Sequence, residues 1–135
     1  MRRILVVDDE TYVREAMQRV LGSCSVTVAA AADAAAAFVH LSEAPTDLVI
    51  IDVILPDLDG VSAIKQIRRD HPDVRIIAIS GGGNFGLKAY LPEAISTSAY
   101  LAACTTAGAD GVLAKPFETA ELRALIEQVL SAERA

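Results

Sequence analysis

Cysteine and histidine are scarce in this chain, with two of each, and basic residues are outnumbered by acidic ones, 12 to 18. Cys24 and Cys104 are too few for a disulfide framework and have no metal-ligand spacing, so two reduced and mostly buried thiols are expected. His40 and His71 stand alone near helix ends, which points to surface or capping roles rather than metal ligation or catalysis. A net charge of −6 argues against a nucleic-acid partner, whose phosphates need a basic face. Lys65, Arg68 and Arg69 form the densest basic cluster and read as one solvated helix face. No apolar run approaches the roughly 18 residues that span a membrane. A strand follows directly on two arginines at the N-terminus, with no separate apolar segment or cleavage site, so a cytoplasmic location is expected.

What the chain has instead is a set of short apolar runs, each ending on a polar residue. Arg3–Val7 leads into Asp8 and Asp9, Leu48–Ile51 into Asp52, Arg75–Ile79 into Ser80, and Gly111–Ala114 into Lys115 and Pro116. Between the runs lie segments of helical period. Val13, Met17, Val20 and Leu21 share one face of a first helix, and Ala34, Ala37, Phe38 and Leu41 one face of a second that stops before Pro45. A third carries Val61, Ile64 and Ile67 and ends near His71–Pro72, and the last carries Leu122, Leu125, Ile126, Val129 and Leu130. A weaker strand, Val26–Val28, separates the first two helices. Alternation of this kind predicts repeated βαβ units, hence an α/β domain with a five-stranded parallel sheet and five helices. Residues 1–135 read as one domain, with no linker and no second domain.

In such a sheet the carboxyl ends of neighbouring strands share one crevice, so the terminal polar residues are expected to meet there. Asp8 and Asp9, with Asp52 opposite, would repel one another unless a hard divalent cation relieved the charge. Mg2+ suits them, because it takes a few carboxylate oxygens, keeps several waters and favours phosphate oxygens. A pair such as Asp8–Asp9 could equally cap the following helix. Asp52 ends the most hydrophobic strand, and is expected to be exposed at the crevice as a nucleophile toward a phosphodonor. Lys115 would offset the local negative charge, and Ser80 could hydrogen-bond a phosphoryl oxygen. A cis peptide between Lys115 and Pro116 would aim the lysine into the crevice.

Taken together, Val6–Glu10, Asp52–Gly60, Ser80–Gly81 and Gly108–Phe117 resemble the receiver domain of two-component response regulators, over the whole chain. The resemblance implies a flavodoxin-like, doubly wound sheet of strand order 2-1-3-4-5. It implies a phosphoacceptor at Asp52, supplied by a histidine kinase or a histidine phosphotransfer protein within a phosphorelay. It also implies Mg2+ held by Asp8, Asp9, Asp52 and the backbone carbonyl of Ile54, with Ser80 and Lys115 reading the phosphoryl group. The expected role is that of a stand-alone signalling domain rather than an enzyme. It would act through a downstream protein target, with no nucleic-acid or membrane partner.

Two departures from the family pattern stand out. Val112 occupies the place where relatives carry an aromatic ring, and a β-branched side chain stiff at χ1 cannot swing as a ring does. The stretch between the fourth strand and its following helix is long. A helix from Pro92 to about Thr106, with Gly108 past its end, leaves residues 81–91 as loop against the usual ~4–6. The Gly81–Gly83 loop and that helix are expected to reorganise together on phosphorylation, with Tyr90 or Tyr100 in the missing aromatic role. A flexible insertion without signalling use is the plainer alternative.

Three rival functions can be weighed. Gly81-x-Gly83-x-x-Gly86 matches a dinucleotide-binding pattern, but it follows the fourth strand instead of the first and lacks the acidic residue that should end the next strand. An aspartate-nucleophile phosphatase would need Asp two residues after Asp52, where Ile54 stands. A receiver-like docking module that is never phosphorylated would have no need of the full acidic set and Lys115.

Overall fold

The computed structural model describes residues 2–22, 25–80, 97–115 and 117–132, without the side chains of Thr97, Ser98 and Tyr100. The elements are β1 (Arg2–Val7), α1 (Thr11–Leu21), β2 (Val26–Ala31), α2 (Ala34–Glu43) and β3 (Leu48–Asp52). They continue with α3 (Gly60–Asp70), β4 (Arg75–Ser80), α4 (Thr97–Ala107), β5 (Gly111–Ala114) and α5 (Thr119–Ser131). All strand pairs are parallel, in the order β2-β1-β3-β4-β5. This is the flavodoxin-like order expected from the sequence.

The central strands are apolar on both faces because helices cover both. Their side chains alternate between two cores. Leu5, Val7, Val49, Ile51, Ile76 and Ala78 point into one core, closed by Ala37 and Leu41 of α2, Ile64 and Ile67 of α3, and Cys104 of α4. Ile4, Val6, Leu48, Ile50, Ile77 and Ile79 point into the other, closed by Met17 of α1 and by Leu122, Ile126 and Val129 of α5. Fully burying each such side chain stabilises the fold by ~1.5–3 kcal/mol, which is why these runs choose the middle of the sheet.

Helix boundaries follow local chemistry. Asp33 accepts the Ala36 N–H at 2.8 Å and so caps α2, and Asp59 caps α3 by accepting the Ser62 N–H at 2.9 Å. Gly108 ends α4 at φ +127°, a conformation glycine adopts without strain. Two expectations need correction. β2 runs three residues beyond Val28, through an alanine run that carries no strand signal by itself but pairs in register with Leu5–Val7. Arg68 is not on a solvated face: its side chain is 16% exposed and donates to the carbonyls of Val74 (2.6 Å), Pro72 (2.9 Å) and Gly108 (2.9 Å) and to Asp110 Oδ2 (2.9 Å). Asp110 also accepts the Ile76 N–H at 2.9 Å, so one ion pair joins α3, β4 and the turn before β5.

The region 81–96 lies outside the described residues. With it go the glycine loop, the start of the helix expected at Pro92, and the proposed role of Tyr90. The side chain of Tyr100, Cys24 and the Lys115–Pro116 geometry lie outside them as well. No helix among the described residues is long and apolar enough to cross a membrane.

Candidate phosphorylation and metal site

Register alone brings the polar strand ends together. Val7 pairs with Ile51, so Asp8 and Asp52 are the next residues of two adjacent strands. Asp52 pairs with Ile79 and Ser80 with Ala114, which places Ser80 and Lys115 one step further along β4 and beyond β5. Backbone bonds lock the rims: Val53 N–H to the Ile79 carbonyl at 3.0 Å and Lys115 N–H to the Ser80 carbonyl at 2.8 Å.

Lys115 Nζ lies 3.3 Å from Asp8 Oδ2 and 3.5 Å from Asp52 Oδ2. The two carboxylates come from strands 44 residues apart in sequence and the ammonium from the far side of the sheet, so only the fold makes this triad. Asp52 is 2% exposed and Asp8 4%. The expectation of an exposed Asp52 therefore needs correction: it ends β3, which lies between β1 and β4, and almost none of its surface reaches water. Burial raises the Asp8 carboxyl above its ordinary range. The Glu10 amide and the Lys115 ammonium oppose that shift, and the Asp52 charge adds to it.

The turn after β1 is built to present acids rather than to cap α1. Residue Glu10 occupies the N-cap position of α1 without a side-chain cap bond, and Asp8 Oδ1 accepts the Glu10 N–H at 2.9 Å. The capping alternative for Asp8–Asp9 is thus not what the fold uses. Carboxylate oxygens of Asp8, Asp9 and Glu10 lie within 4.8 Å of one another. An all-oxygen, strongly anionic cluster of this kind fits a hard divalent cation. Glu10 was not among the residues singled out from sequence, though its place beside two aspartates was the signal. Arg14 was missed as well. Its guanidinium donates to the Asp8 carbonyl at 2.8 Å and to Thr11 Oγ1 at 3.2 Å, and so clips the acidic turn to α1.

After β3 the chain makes a second tight turn. Asp52 Oδ1 accepts the Ile54 N–H at 2.9 Å, Ile54 bridges Asp59, and Gly60 N–H donates to the Val53 carbonyl at 2.7 Å. A Cβ on Gly60 would lie 2.3 Å from Val53 Cα, so this closure tolerates no side chain there. Ser80 ends β4 at 5% exposure. Val112 pairs with Ala78, which puts it on the same sheet face as Ser80, where it packs against the core under α3 and α4. The dinucleotide-like glycines lie outside the described residues.

Residues 4–127 match the family model described as "Response regulator receiver domain". The chain belongs to that family. Among curated relatives it is 34% identical over 128 residues to the transcriptional regulatory protein PrrA of Mycobacterium tuberculosis, covering 95% of this chain and 49% of PrrA. It is 33% identical over 128 residues to the response regulator MprA of Mycobacterium ulcerans, with 95% and 50% covered. It is 30% identical over 129 residues to the sensor kinase CckA of Brucella abortus, with 94% and 12% covered. The chain thus spans half the length of these relatives or less. Of solved structures, a LuxR-family two-component response regulator from Aurantimonas sp. superposes with TM-score 0.79 at 32% identity, over 98% of this chain and 87% of that one. The receiver domain of NtrX from Brucella abortus superposes with TM-score 0.80 at 27% identity, over 96% and 99%. Receiver domains are signalling domains that accept a phosphoryl group from histidine kinases and bind Mg2+ at an acidic pocket.

Proposed function

We propose that this receiver domain accepts a phosphoryl group on Asp52 and signals by binding a protein target. The observation that carries the reading is the Lys115 ammonium set between the buried carboxylates of Asp8 and Asp52. A half-buried ammonium beside a nucleophilic carboxylate is what phosphoryl transfer asks of a protein, namely positioning and charge neutralisation. The donor is the phosphohistidine of a histidine kinase or of a phosphotransfer protein in a phosphorelay. The Asp52 carboxylate oxygen attacks phosphorus in line with the departing imidazole nitrogen. The P–N bond breaks as the P–O bond forms, and the imidazole takes a proton from solvent. Asp52 Oδ1 accepts the Ile54 N–H, and Oδ2 faces the Lys115 ammonium, which would neutralise the added charge. Lys115 then follows the added charge, and the Ser80 hydroxyl donates to a phosphoryl oxygen.

Asp8, Asp9, Asp52 and the Ile54 carbonyl would hold Mg2+, which when bound neutralises charge on the phosphoryl oxygens. Glu10 adds a further carboxylate at the edge of that set. Among the described residues no general acid stands ready for turnover of external phosphate esters; the chain acts as a phosphoacceptor that self-phosphorylates from small donors and loses the group by hydrolysis. A cytoplasmic location and protein partners, rather than nucleic acid or membrane, accord with the net charge of −6.

Val112 favours a second reading, a docking module that works without phosphorylation, because that position carries no ring to report the modified state. One experiment separates the two. The protein is incubated with acetyl phosphate and Mg2+, and intact mass is read for wild type and Asp52→Asn. A Mg2+-dependent phosphoryl adduct in the wild type alone supports the phosphoacceptor. Its absence from both favours the docking module.

A further inference from the structure

Asp57 stands outside the phosphorylation set, in the exposed loop between β3 and α3, yet its carboxylate is fully engaged. Oδ1 accepts the Ala34 N–H at 2.9 Å and Oδ2 accepts the Ala35 N–H at 3.0 Å. Both amides belong to the first turn of α2, whose N–H groups have no intrahelical partner. Asp33, the helix's own cap, takes the Ala36 N–H. Two aspartates thus satisfy three successive amides, and one of them reaches across from 23 residues further along the chain. Burial works to raise the Asp57 carboxyl, but the Ala34 and Ala35 amides favour its charged form and bring it below the ordinary range. The positive end of the α2 dipole acts in the same direction.

The loop that Asp57 anchors is the one that faces the site. It begins at Asp52, whose Oδ1 holds the Ile54 amide, and closes on α3 through the Ile54–Asp59 bridge and the Gly60–Val53 hydrogen bond. Those holds are local. Asp57 alone among the described residues of this loop ties it by side-chain hydrogen bonds to another helix. Any shift of the Ile54 backbone on loading the site therefore pulls on the first turn of α2.

We infer that Asp57 is a positioning residue for the phosphorylation site, and that through it the occupancy of that site is passed to the first turn of α2. The inference rests on the phosphoacceptor reading above. It supplies a route for the signal that does not need a ring at Val112.

Magnesium titrations followed by NMR on the whole chain, with amide exchange of Ala34 and Ala35, test it in wild type, Asp57→Ala and Asp57→Asn. Asp57 acts only through the loop that carries Ile54, so Asp57→Ala is expected to bind Mg2+ about tenfold more weakly, the low end of what lost support around metal ligands costs (~10–100-fold). Asp57→Asn, which keeps one acceptor oxygen, recovers part of that loss. In wild type, Mg2+ with acetyl phosphate changes the exchange rates of Ala34 and Ala35, whereas in Asp57→Ala both amides exchange fast in either state. Should Asp57→Ala fail to fold, Asp57→Asn and the wild-type exchange rates decide. Wild-type Mg2+ affinity in a folded Asp57→Ala, or unchanged Ala34 and Ala35 exchange on loading the wild type, would overturn the inference alone. Absence of both Mg2+ binding and phosphorylation in the wild type would overturn the phosphoacceptor reading and this inference with it.

Discussion

Two clusters of charge sit at opposite ends of the sheet, and they are built differently. At the amino end of β4, Arg68 meets three carbonyls and the Asp110 carboxylate at 2.6–2.9 Å, and Asp110 binds a backbone amide as well. One cation faces one anion, and the remaining guanidinium donors find carbonyls. At the carboxyl end, Asp8 and Asp52 share the single ammonium of Lys115 at 3.3 and 3.5 Å, with Asp9 and Glu10 beside them. The first cluster is closed and neutral, as expected of a structural tie. The second sets two buried carboxylates, with the exposed Asp9 and the half-buried Glu10 beside them, against one ammonium, an excess of negative charge that protonation or an added cation would relieve. What separates the two clusters is the balance of charge: one is matched, the other is not.

The comparison is easiest to break at Asp52. Asp52→Asn is expected to abolish phosphorylation by acetyl phosphate completely, as read by intact mass, while leaving the urea midpoint near that of wild type. Arg68→Ala should do the reverse. Loss of the guanidinium takes a donor from three carbonyls and one partner from Asp110, at a cost of about 2 kcal/mol in urea unfolding, with Mg2+ affinity unchanged. An Arg68→Ala protein as stable as wild type would remove the distinction drawn between the two clusters.

Smaller effects sharpen it. Asp59 caps α3 with bonds to the Ser62 amide at 2.9 Å and the Ser62 hydroxyl at 2.7 Å, so Asp59→Ala should destabilise by ~1 kcal/mol. The Ser62 hydroxyl and amide hold the Asp59 carboxyl below its ordinary range. A depressed carboxyl contributes stability that is fully present above the unfolded pKa of ~3.9 and is lost as pH falls through the lower folded value. Urea titrations between neutral pH and about pH 3 should therefore show a shallower acid loss in Asp59→Asn than in wild type. The least effect is expected at Cys104, on the buried face of α4, where burial first and the Asp59 charge second push the thiol up to about 11. Native protein should leave Cys104 unmodified by iodoacetamide at neutral pH, with labelling appearing only in urea.

Much of this was legible in the sequence, for identifiable reasons. Strand ends could be read because apolar runs stop abruptly at Asp8, Asp52, Ser80 and Lys115, and the parallel topology sends such ends to one side. Arg68 could not be read, because a basic residue beside Lys65 and Arg69 has the same local pattern whether it faces water or a carbonyl cluster. Asp57 escaped for the same reason: a loop aspartate gives no sign of a helix N-terminus 23 residues upstream. The burial of Asp52 escaped because the end of a strand is open or closed according to the loops of its neighbours. Glu10 was available to inspection and passed over.

By itself the sequence determined which residues lie along the strands, which helix faces turn inward, and which polar groups stand at the strand ends, since all follow from periodicity and the chain's own order. Tertiary structure alone decided which of those groups touch. The pairing of Lys115 with both Asp8 and Asp52, the saturation of Arg68, and the tie from Asp57 to α2 depend on strand register and on helices packed across the sheet. Those contacts join residues far apart in sequence, so they exist only once the strands are in register and the helices have packed.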